Sequence, residues 1–525
     1  MERIKERPVE RITLEPVSVV SEVVLSRLLL LCALAGGSFL RIWDINAMGY
    51  NTDEAVYAGQ AAAIAGVPYL KDMFPVFRAH PLLFQFILSV IYKYQFSDVS
   101  GRLLAAAVGI GCVLVAYQIG NTLYGPLPGA LAAIFLALMP YHVIVSRQVL
   151  LDGPMVFCAT LSLYMLARFG KEQRVIWLFA AGISMGLTVL SKETGIVLVG
   201  SIYVFLTLAS ELRIRFWNLI VGSVITAIVI APFPVSLYLA GGSHSGQNYL
   251  IWQLFRRPNH EWSFYLTAVP PAIGVWLIVA ALLGLILLWH ERSWREKLLL
   301  AWIIVPLTFF EIWPVKGFQY LLPIAPPLAV LAGRTLGKLA TNPPVKWLSE
   351  ISSKFPVVPF FSWLAIAGIT FSIGSSSWQQ IQPAISAQFL AGTGGVPGGR
   401  EMGGWIQSNV PQSATFMTIG PSMANIVEFY GHRFAYGLAV SPNPLHRNPS
   451  YTPIINPDVD IRRSDLQYLV WDSFSATRTP FFTDKLLAYV KKYNGRAVHI
   501  ETISVKDVTG RTVVQPVIII YEVHP

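Results

Sequence analysis

Two neighbouring carboxylates, Asp53 and Glu54, stand in the stretch Gly49-Tyr50-Asn51-Thr52-Asp53-Glu54-Ala55-Val56-Tyr57, a few residues beyond the first long apolar run. Acids at the edge of a membrane segment are costly to hold near hydrocarbon, so the pair demands a role. One role is local: Asp53 caps a short helix and Glu54 sits in its first turn, near the positive end of the dipole. The other is chemical, a carboxylate that takes a proton from a reacting group. Asp152 ends another apolar run just ahead of Gly153-Pro154. Proline at the start of a helix makes an N-cap the plain reading there. Arg147, a little earlier in the same stretch, reads most simply as its ion-pair partner.

The elements that must position these residues are membrane helices. The chain has 525 residues, 54% hydrophobic and only 13% charged. Ordinary globular proteins carry roughly 25% charged residues, so this composition excludes a cytosolic protein. A helix crosses the bilayer core in roughly 20 residues. Apolar runs of that kind fall at about 23–43, 102–121, 127–146, 153–169, 175–191, 195–210, 216–240, 266–289, 297–313, 318–336 and 356–375. The stretch 81–96 is apolar but short, broken by Tyr92-Lys93-Tyr94, and reads as a helix lying in the interface. The first run lacks a clean cleavage site and reads as a retained span.

The net charge of +10 comes from short basic clusters between apolar runs. That is the pattern of orientation in a bilayer, not of nucleic-acid binding. With Arg3, Lys5, Arg7 and Arg11 in the cytoplasm, Arg168/Lys171/Arg174, Arg213/Arg215, Arg292/Arg295/Lys297 and Arg334/Lys338/Lys346 all fall on the same side. The 44–101 loop, the 147–152 loop, Lys192-Glu193, the 241–265 loop, Lys316–Tyr320 and the C-terminal tail then face outside. Cys32, Cys112 and Cys158 lie within apolar stretches, where they act as small hydrophobes; no disulfide framework and no cysteine metal site is readable.

Past the last apolar run the character changes. The expected organisation is a cytoplasmic segment 1–22, a membrane domain 23–380, a Gly-rich linker 381–400 and an external soluble α/β domain 401–525. Within that domain Thr415–Ile419, Leu466–Trp471 and Val513–Tyr521 read as strands, and Glu401–Ser408 and Thr483–Tyr493 as helices. Ser441–Pro457, rich in Pro and Asn, reads as a long surface loop.

Five stretches, taken in order, resemble the GT-C class of membrane glycosyltransferases, in the branch of protein O-mannosyltransferases and lipid A aminoarabinose transferases. They are Asp53-Glu54-Ala55-Val56-Tyr57-Ala58; Arg78-Ala79-His80-Pro81-Leu82-Leu83 with Gly101-Arg102-Leu103-Leu104; Ser146-Arg147-Gln148-Val149-Leu150-Leu151-Asp152-Gly153-Pro154; Gly186-Leu187-Thr188-Val189-Leu190-Ser191-Lys192-Glu193; and Gln319-Tyr320-Leu321-Leu322-Pro323-Ile324-Ala325-Pro326. The resemblance covers roughly 40–335. It implies a polytopic α-helical protein of about 11–13 transmembrane helices, with a sugar carried on polyprenyl phosphate and transferred on the external face.

By that resemblance Asp53 is the general base of an inverting transfer, with Glu54 either a second acid or a helix-stabilising one. Asp152 would orient the acceptor or a metal, and Arg147 would hold Asp152 or touch a phosphate. A departing lipid phosphate calls for cations at the rim of the site. Arg78, His80, Lys192, Arg256, Arg257 and Lys316 are the candidates, with Tyr320 as a neutral donor. His80 departs from relatives that place Lys, preceded by Glu, at this position. No cofactor is implied with certainty; a divalent cation, Mg or Mn, is needed by some relatives and not by others. The expected partners are the lipid-linked donor, an envelope acceptor that is protein, lipid or glycan, and membrane lipids, with no nucleic acid. Two other classes compete: a polytopic transporter or lipid flippase, which predicts internal repeats and mid-bilayer charges, and a receptor whose work lies in the C-terminal domain.

Overall fold

The computed structural model describes residues 16–75, 80–239, 252, 253, 255, 256, 258–288, 290, 292–341, 357–383, 397–506 and 511–525. The membrane part is helical throughout. Its helices are α1 (Pro16–Ile42), α2 (Thr52–Ala65), α3 (Leu83–Tyr92), α4 (Asp98–Tyr124), α5 (Pro126–Leu138), α6 (Pro140–Val145), α7 (Asp152–Glu172) and α8 (Val175–Ser191). There follow α9 (Val197–Leu208), α10 (Phe216–Ile230), α11 (Pro232–Leu239), α12 (Phe264–Ile273), α13 (Val275–Leu287), α14 (Trp294–Ile312), α15 (Ala325–Thr341) and α16 (Val357–Gln380).

The core is a dry stack of Leu, Ala, Ile and Phe centred on α5. Leu131, Phe135 and Leu136 are fully buried there, against Val113 and Ala116 of α4 and Val330 and Ala332 of α15. α4 and α5 meet closely because glycines face each other: a Cβ on Gly120 would stand 2.7 Å from the Gly129 Cα. Small residues at a helix crossing let backbones approach where lipid offers no hydrophobic drive.

Among the described residues, four helical stretches have the length and hydropathy to cross a membrane unbroken: Glu22–Ile42, Asp98–Tyr124, Phe216–Leu239 and Val358–Gln380. α12 and α13 together are long and apolar enough to cross, but the pair is bent by 93° at the break between them. The hinge is Gly274 at φ 104, a backbone region that Gly enters without cost. Two other apolar runs are helical but interrupted, while 153–169 and 175–191 form the unbroken α7 and α8. The run 127–146 breaks at Met139-Pro140, and the run 318–336 opens as a 3₁₀ segment, Phe318–Ile324, before α15. Proline and glycine explain both, because each removes or loosens an intrahelical bond. α3 has 10 residues, too short to cross, with Phe86, Ile87 and Val90 outward and Leu88 and Tyr92 buried.

The basic loops gather at one end. Lys297 bonds Glu211 at 2.7 Å, Arg334 meets Glu296 at 3.3 Å, and the Arg213 amide donates to Gln173 at 3.2 Å.

The C-terminal part opens with α17 (Gly399–Asn409) and holds a five-stranded mixed sheet. Its strands are β1 (Phe416–Thr418), β2 (Ala435–Gly437), β3 (Tyr468–Asp472), β4 (Arg496–Lys506) and β5 (Thr512–Glu522), in the order β2-β1-β3-β5-β4. β1 runs parallel to β2 and β3, while β5 is antiparallel to β3 and β4. Both faces are buried, Phe416, Val470 and Ile518 on one side and Met417, Leu469 and Leu486 on the other. The expected strands and helices of this domain are present. β4 and the short β2 are additional, since His499, Glu501 and Lys506 dilute the apolar alternation that marks a strand. The segment 384–396 of the expected linker lies outside the described residues.

A polar knot docks this sheet domain on the membrane part. Asp98 Oδ2 accepts from Arg400 Nη2 at 2.7 Å and from the Tyr430 hydroxyl at 2.5 Å. The Tyr50 amide donates to the same hydroxyl at 2.6 Å. Phe429 fills the apolar side of the joint, 5.3 Å from the Tyr50 ring and 5.9 Å from Phe96.

Candidate active site

Between the membrane helices and the sheet domain lies a cavity of about 730 Å3. α2 presents Asp53 to it. The start of α2 is fixed by a reciprocal cap: Asn51 Oδ1 accepts from the Glu54 amide at 3.0 Å, and Glu54 Oε2 accepts from the Asn51 amide at 3.1 Å. Successive helical residues project about 100° apart, so the two acids diverge. Asp53 is half-buried on the cavity wall beside Tyr57 and Gln60.

Glu54 turns the other way. Arg102 donates to it from Nε at 2.9 Å and from Nη2 at 2.8 Å, and the Val149 amide adds a bond of 3.0 Å. Arg102 also donates to the carbonyls of Ile45, Met48 and Gly49. Glu54 thereby ties α2, α4, the 45–49 turn and the 148–150 turn together. Both partners are buried, a geometry that satisfies the charges inside a low-dielectric core.

Asp152 lies just behind the cavity wall. Lys192 Nζ bonds its two oxygens at 2.9 and 2.8 Å, and both side chains are buried. Lys192 itself reaches the cavity, with its ammonium 5.2 Å from the centre of the Tyr320 ring. His80 lines the cavity and bonds Glu193 at 2.9 Å. Lys316 bonds the Glu311 carbonyl at 2.6 Å and packs 5.1 Å from the Trp262 and Tyr265 rings. Asn259 holds the Lys316 backbone by two bonds of 2.8 Å. Arg256 stacks 4.6 Å over Trp252. His260, on the same wall, is held below the usual imidazole pKa by burial, then by the charges of Arg478 and Lys316.

Of the residues singled out in the sequence, Asp53, His80, Lys192, Arg256, Lys316 and Tyr320 therefore share one cavity, and Asp152 supports it through Lys192. Arg147 goes elsewhere. It donates to the Leu40 carbonyl at 2.6 Å and lines a separate small pocket of about 60 Å3 with Glu54 and Arg102. The partner of Asp152 is Lys192, not Arg147. Arg78 and Arg257 lie outside the described residues. Among the described residues no three His, Cys, Asp or Glu side chains gather as a metal site.

Residues the sequence did not announce form the roof. Ser422, His446, Arg447, Asn448, Tyr451 and Arg478 all come from the C-terminal domain. Most of these belong to the Pro- and Asn-rich loop, whose only signal was its length inside a small domain.

The helical frame around this cavity has the GT-C fold, which the similar solved structures share. Residues 79–238 match the dolichyl-phosphate-mannose-protein mannosyltransferase family. Over 126 residues the chain is 36% identical to an undecaprenyl phosphate-alpha-4-amino-4-deoxy-L-arabinose arabinosyl transferase of Serratia proteamaculans; that stretch spans 22% of this chain and 22% of the relative. The fold is similar over nearly the whole length to ArnT from Cupriavidus metallidurans: TM-score 0.66 at 14% identity, covering 96% of this chain and 98% of that one. The oligosaccharyltransferase of Archaeoglobus fulgidus is similar at TM-score 0.55 and 14% identity, covering 96% of this chain and 75% of its own.

Proposed function

We propose that this multi-pass membrane protein transfers a sugar from polyprenyl phosphate to an acceptor of the cell envelope, on the non-cytoplasmic face. The observation that carries the proposal is the cavity itself: an accessible carboxylate, Asp53, among cationic side chains, under a soluble domain. ArnT from Cupriavidus metallidurans, which is similar over 96% of this chain, has also been solved with undecaprenyl phosphate bound. The gathering of basic loops at the opposite end from the cavity supports the orientation, by the excess of Lys and Arg on cytoplasmic loops.

In the proposed reaction Asp53 accepts the proton of the acceptor hydroxyl as its oxygen attacks the anomeric carbon. The bond from that carbon to the phosphate oxygen breaks, and polyprenyl phosphate leaves carrying its electron pair. One displacement inverts the anomeric configuration. His80, Arg256, Lys316 and the Tyr320 hydroxyl offset the charge that develops on the departing phosphate. Lys192, paired with Asp152, contributes in the same way as His80 and Lys316, whose charges Glu193 and Glu311 partly offset. Asp152 acts as a positioning residue for that lysine, and Glu54 as the anchor of the helix that carries Asp53.

The test is mass spectrometry of lipid co-purifying with the protein, followed by incubation with envelope extract and analysis of the product anomer. Polyprenyl-phosphate sugar in the preparation and a product of opposite anomeric configuration are expected. A preparation lacking any polyprenyl carrier, or a product of retained configuration, would overturn the proposal.

A further inference from the structure

Two buried side-chain atoms on the cavity lining have no hydrogen-bond partner among the described residues: Arg447 Nε on the roof and Gln319 Oε1 on the membrane part. Gln319 is only 8% exposed. A buried carbonyl oxygen left unpaired costs free energy that a donor on a bound molecule recovers. The turn that carries this amide is held firmly. Asn259 bonds the Lys316 backbone twice, the Tyr265 hydroxyl bonds both the amide and the carbonyl of Gly317 at 3.2 Å, and the Tyr141 hydroxyl donates to the Phe318 carbonyl. Gln319 therefore offers its oxygen from a fixed backbone, which is what a selective contact requires. Its neighbours Lys316 and Tyr320 line the same cavity and are the groups proposed to offset the charge of the carrier phosphate. In a lipid-linked donor the sugar joins that phosphate through one oxygen, so the sugar is the part of the donor that this turn meets next.

We infer that Gln319 reads a hydroxyl of the donor's sugar, and that this sugar is uncharged. The inference rests on the transferase reading of the same cavity and names the side chain that selects its donor. A carboxamide oxygen accepts from a hydroxyl or from an ammonium. Among the described residues the lining holds Lys192, Arg256, Lys316, Arg447 and Arg478 against Asp53 and Glu193. Asp152 and Glu311, which pair with the two lysines from outside the lining, leave that balance positive. An ammonium adds like charge to such a wall and a hydroxyl does not. A site built to bond a hydroxyl also rejects an analogue lacking it more strongly than an apolar pocket rejects a change of size.

The experiment uses full-length protein in nanodiscs. Glucosyl, mannosyl, arabinosyl and aminoarabinosyl phosphoundecaprenol each compete in turn with equimolar undecaprenyl phosphate, and mass spectrometry quantifies the lipid retained after repurification. Wild-type protein is expected to retain at least one neutral sugar lipid about tenfold better than the bare carrier, the scale of one buried hydrogen bond. The amino sugar should do no better than arabinose. Gln319→Leu should bring the preferred sugar lipid to parity with bare carrier, while bare carrier offered alone is retained as by wild type. The thermal unfolding midpoint of that variant without lipid should stay level or rise, because an unpaired buried atom is gone; a glutamine that only supports the fold would lower it. Parity of every sugar lipid with bare carrier in wild type overturns the inference, as does a full preference surviving in Gln319→Leu or an equal loss of bare and sugar-linked carrier. Better retention of the amino sugar than of arabinose overturns the assignment of an uncharged sugar. Failure of wild type to retain undecaprenyl phosphate or any of its sugar lipids counts against the transferase reading instead.

Discussion

Asp53 and Glu54 are adjacent, yet they occupy opposite worlds. Glu54 is 1% exposed, bonded by a guanidinium and two backbone amides, with a pocket of only about 60 Å3 beside it. Asp53 opens onto about 730 Å3. A carboxylate fully removed from water must be matched by cations and N–H donors, and once matched it is bound to its partners. A carboxylate that exchanges a proton with a substrate has to keep access. The capping box of α2 achieves the division by fixing which side of the helix each acid takes. One acid ties the walls of the site together and the other, half-buried, lines the cavity.

Breaking the comparison on the Asp53 side should cost rate and little stability. Asp53→Asn is expected to lower sugar transfer by about 10²–10⁴-fold, the usual worth of a general base, with the thermal unfolding midpoint unchanged. Turnover with co-purified donor and a thermal melt of the same sample check both halves. On the Glu54 side the outcome reverses. Removing one partner of a buried pair costs about 3–5 kcal/mol, so Glu54→Gln or Arg102→Gln should sharply lower yield and unfolding midpoint. Conservative repair in the double variant should recover part of the midpoint, which chemical unfolding in nanodiscs would measure.

A third carboxylate sharpens the contrast. Asp472 caps the helix Ser473–Arg478 through the Ser475 amide at 2.7 Å, but its Oδ2 is buried with no partner among the described residues. Burial pushes its pKa up from 3.8 to about 6. Folded protein therefore binds this proton more tightly than unfolded protein, and stability falls as pH rises from 3.8 through about 6. Asp472→Asn should keep the cap and stabilise the C-terminal domain at pH 7.5 by on the order of 1–3 kcal/mol, with the gain vanishing near pH 4. Unfolding of the domain across that range checks the sign. The smallest effect belongs to the docking knot. Arg400 is partly solvent-exposed, so Arg400→Gln should cost about 1 kcal/mol or less. Faster amide exchange at Tyr50, whose N–H reaches Tyr430, would report the loosened joint.

The sequence carried the membrane frame because bilayer spans need long apolar runs, which composition cannot hide. It carried less of their continuity, since Pro140 and Gly274 act locally and a hydropathy run reads through them. Asp53, His80, Lys192, Arg256, Lys316 and Tyr320 were legible as a group because the alternation of spans puts them on one face and the resemblance to GT-C enzymes calls for an acid ringed by cations there. The fate of Glu54 was not. Its partner Arg102 stands well along the chain, inside what reads as a span, and no local pattern links them. Arg147 illustrates the same limit: its nearness to Asp152 in sequence suggested a pair, while the turn after α6 sends it to the Leu40 carbonyl. Arg447 and Arg478 were hidden for a different reason, since a loop's sequence does not reveal which surface it covers.

Release of polyprenyl phosphate from the lipid-linked sugar, measured side by side for wild type and Asp53→Asn in the same nanodiscs, is the most direct test. The account predicts that the variant still binds undecaprenyl phosphate with wild-type affinity yet releases it at least about a hundredfold more slowly. Release at the wild-type rate would contradict it, and Asp53 would then have no part in moving the proton.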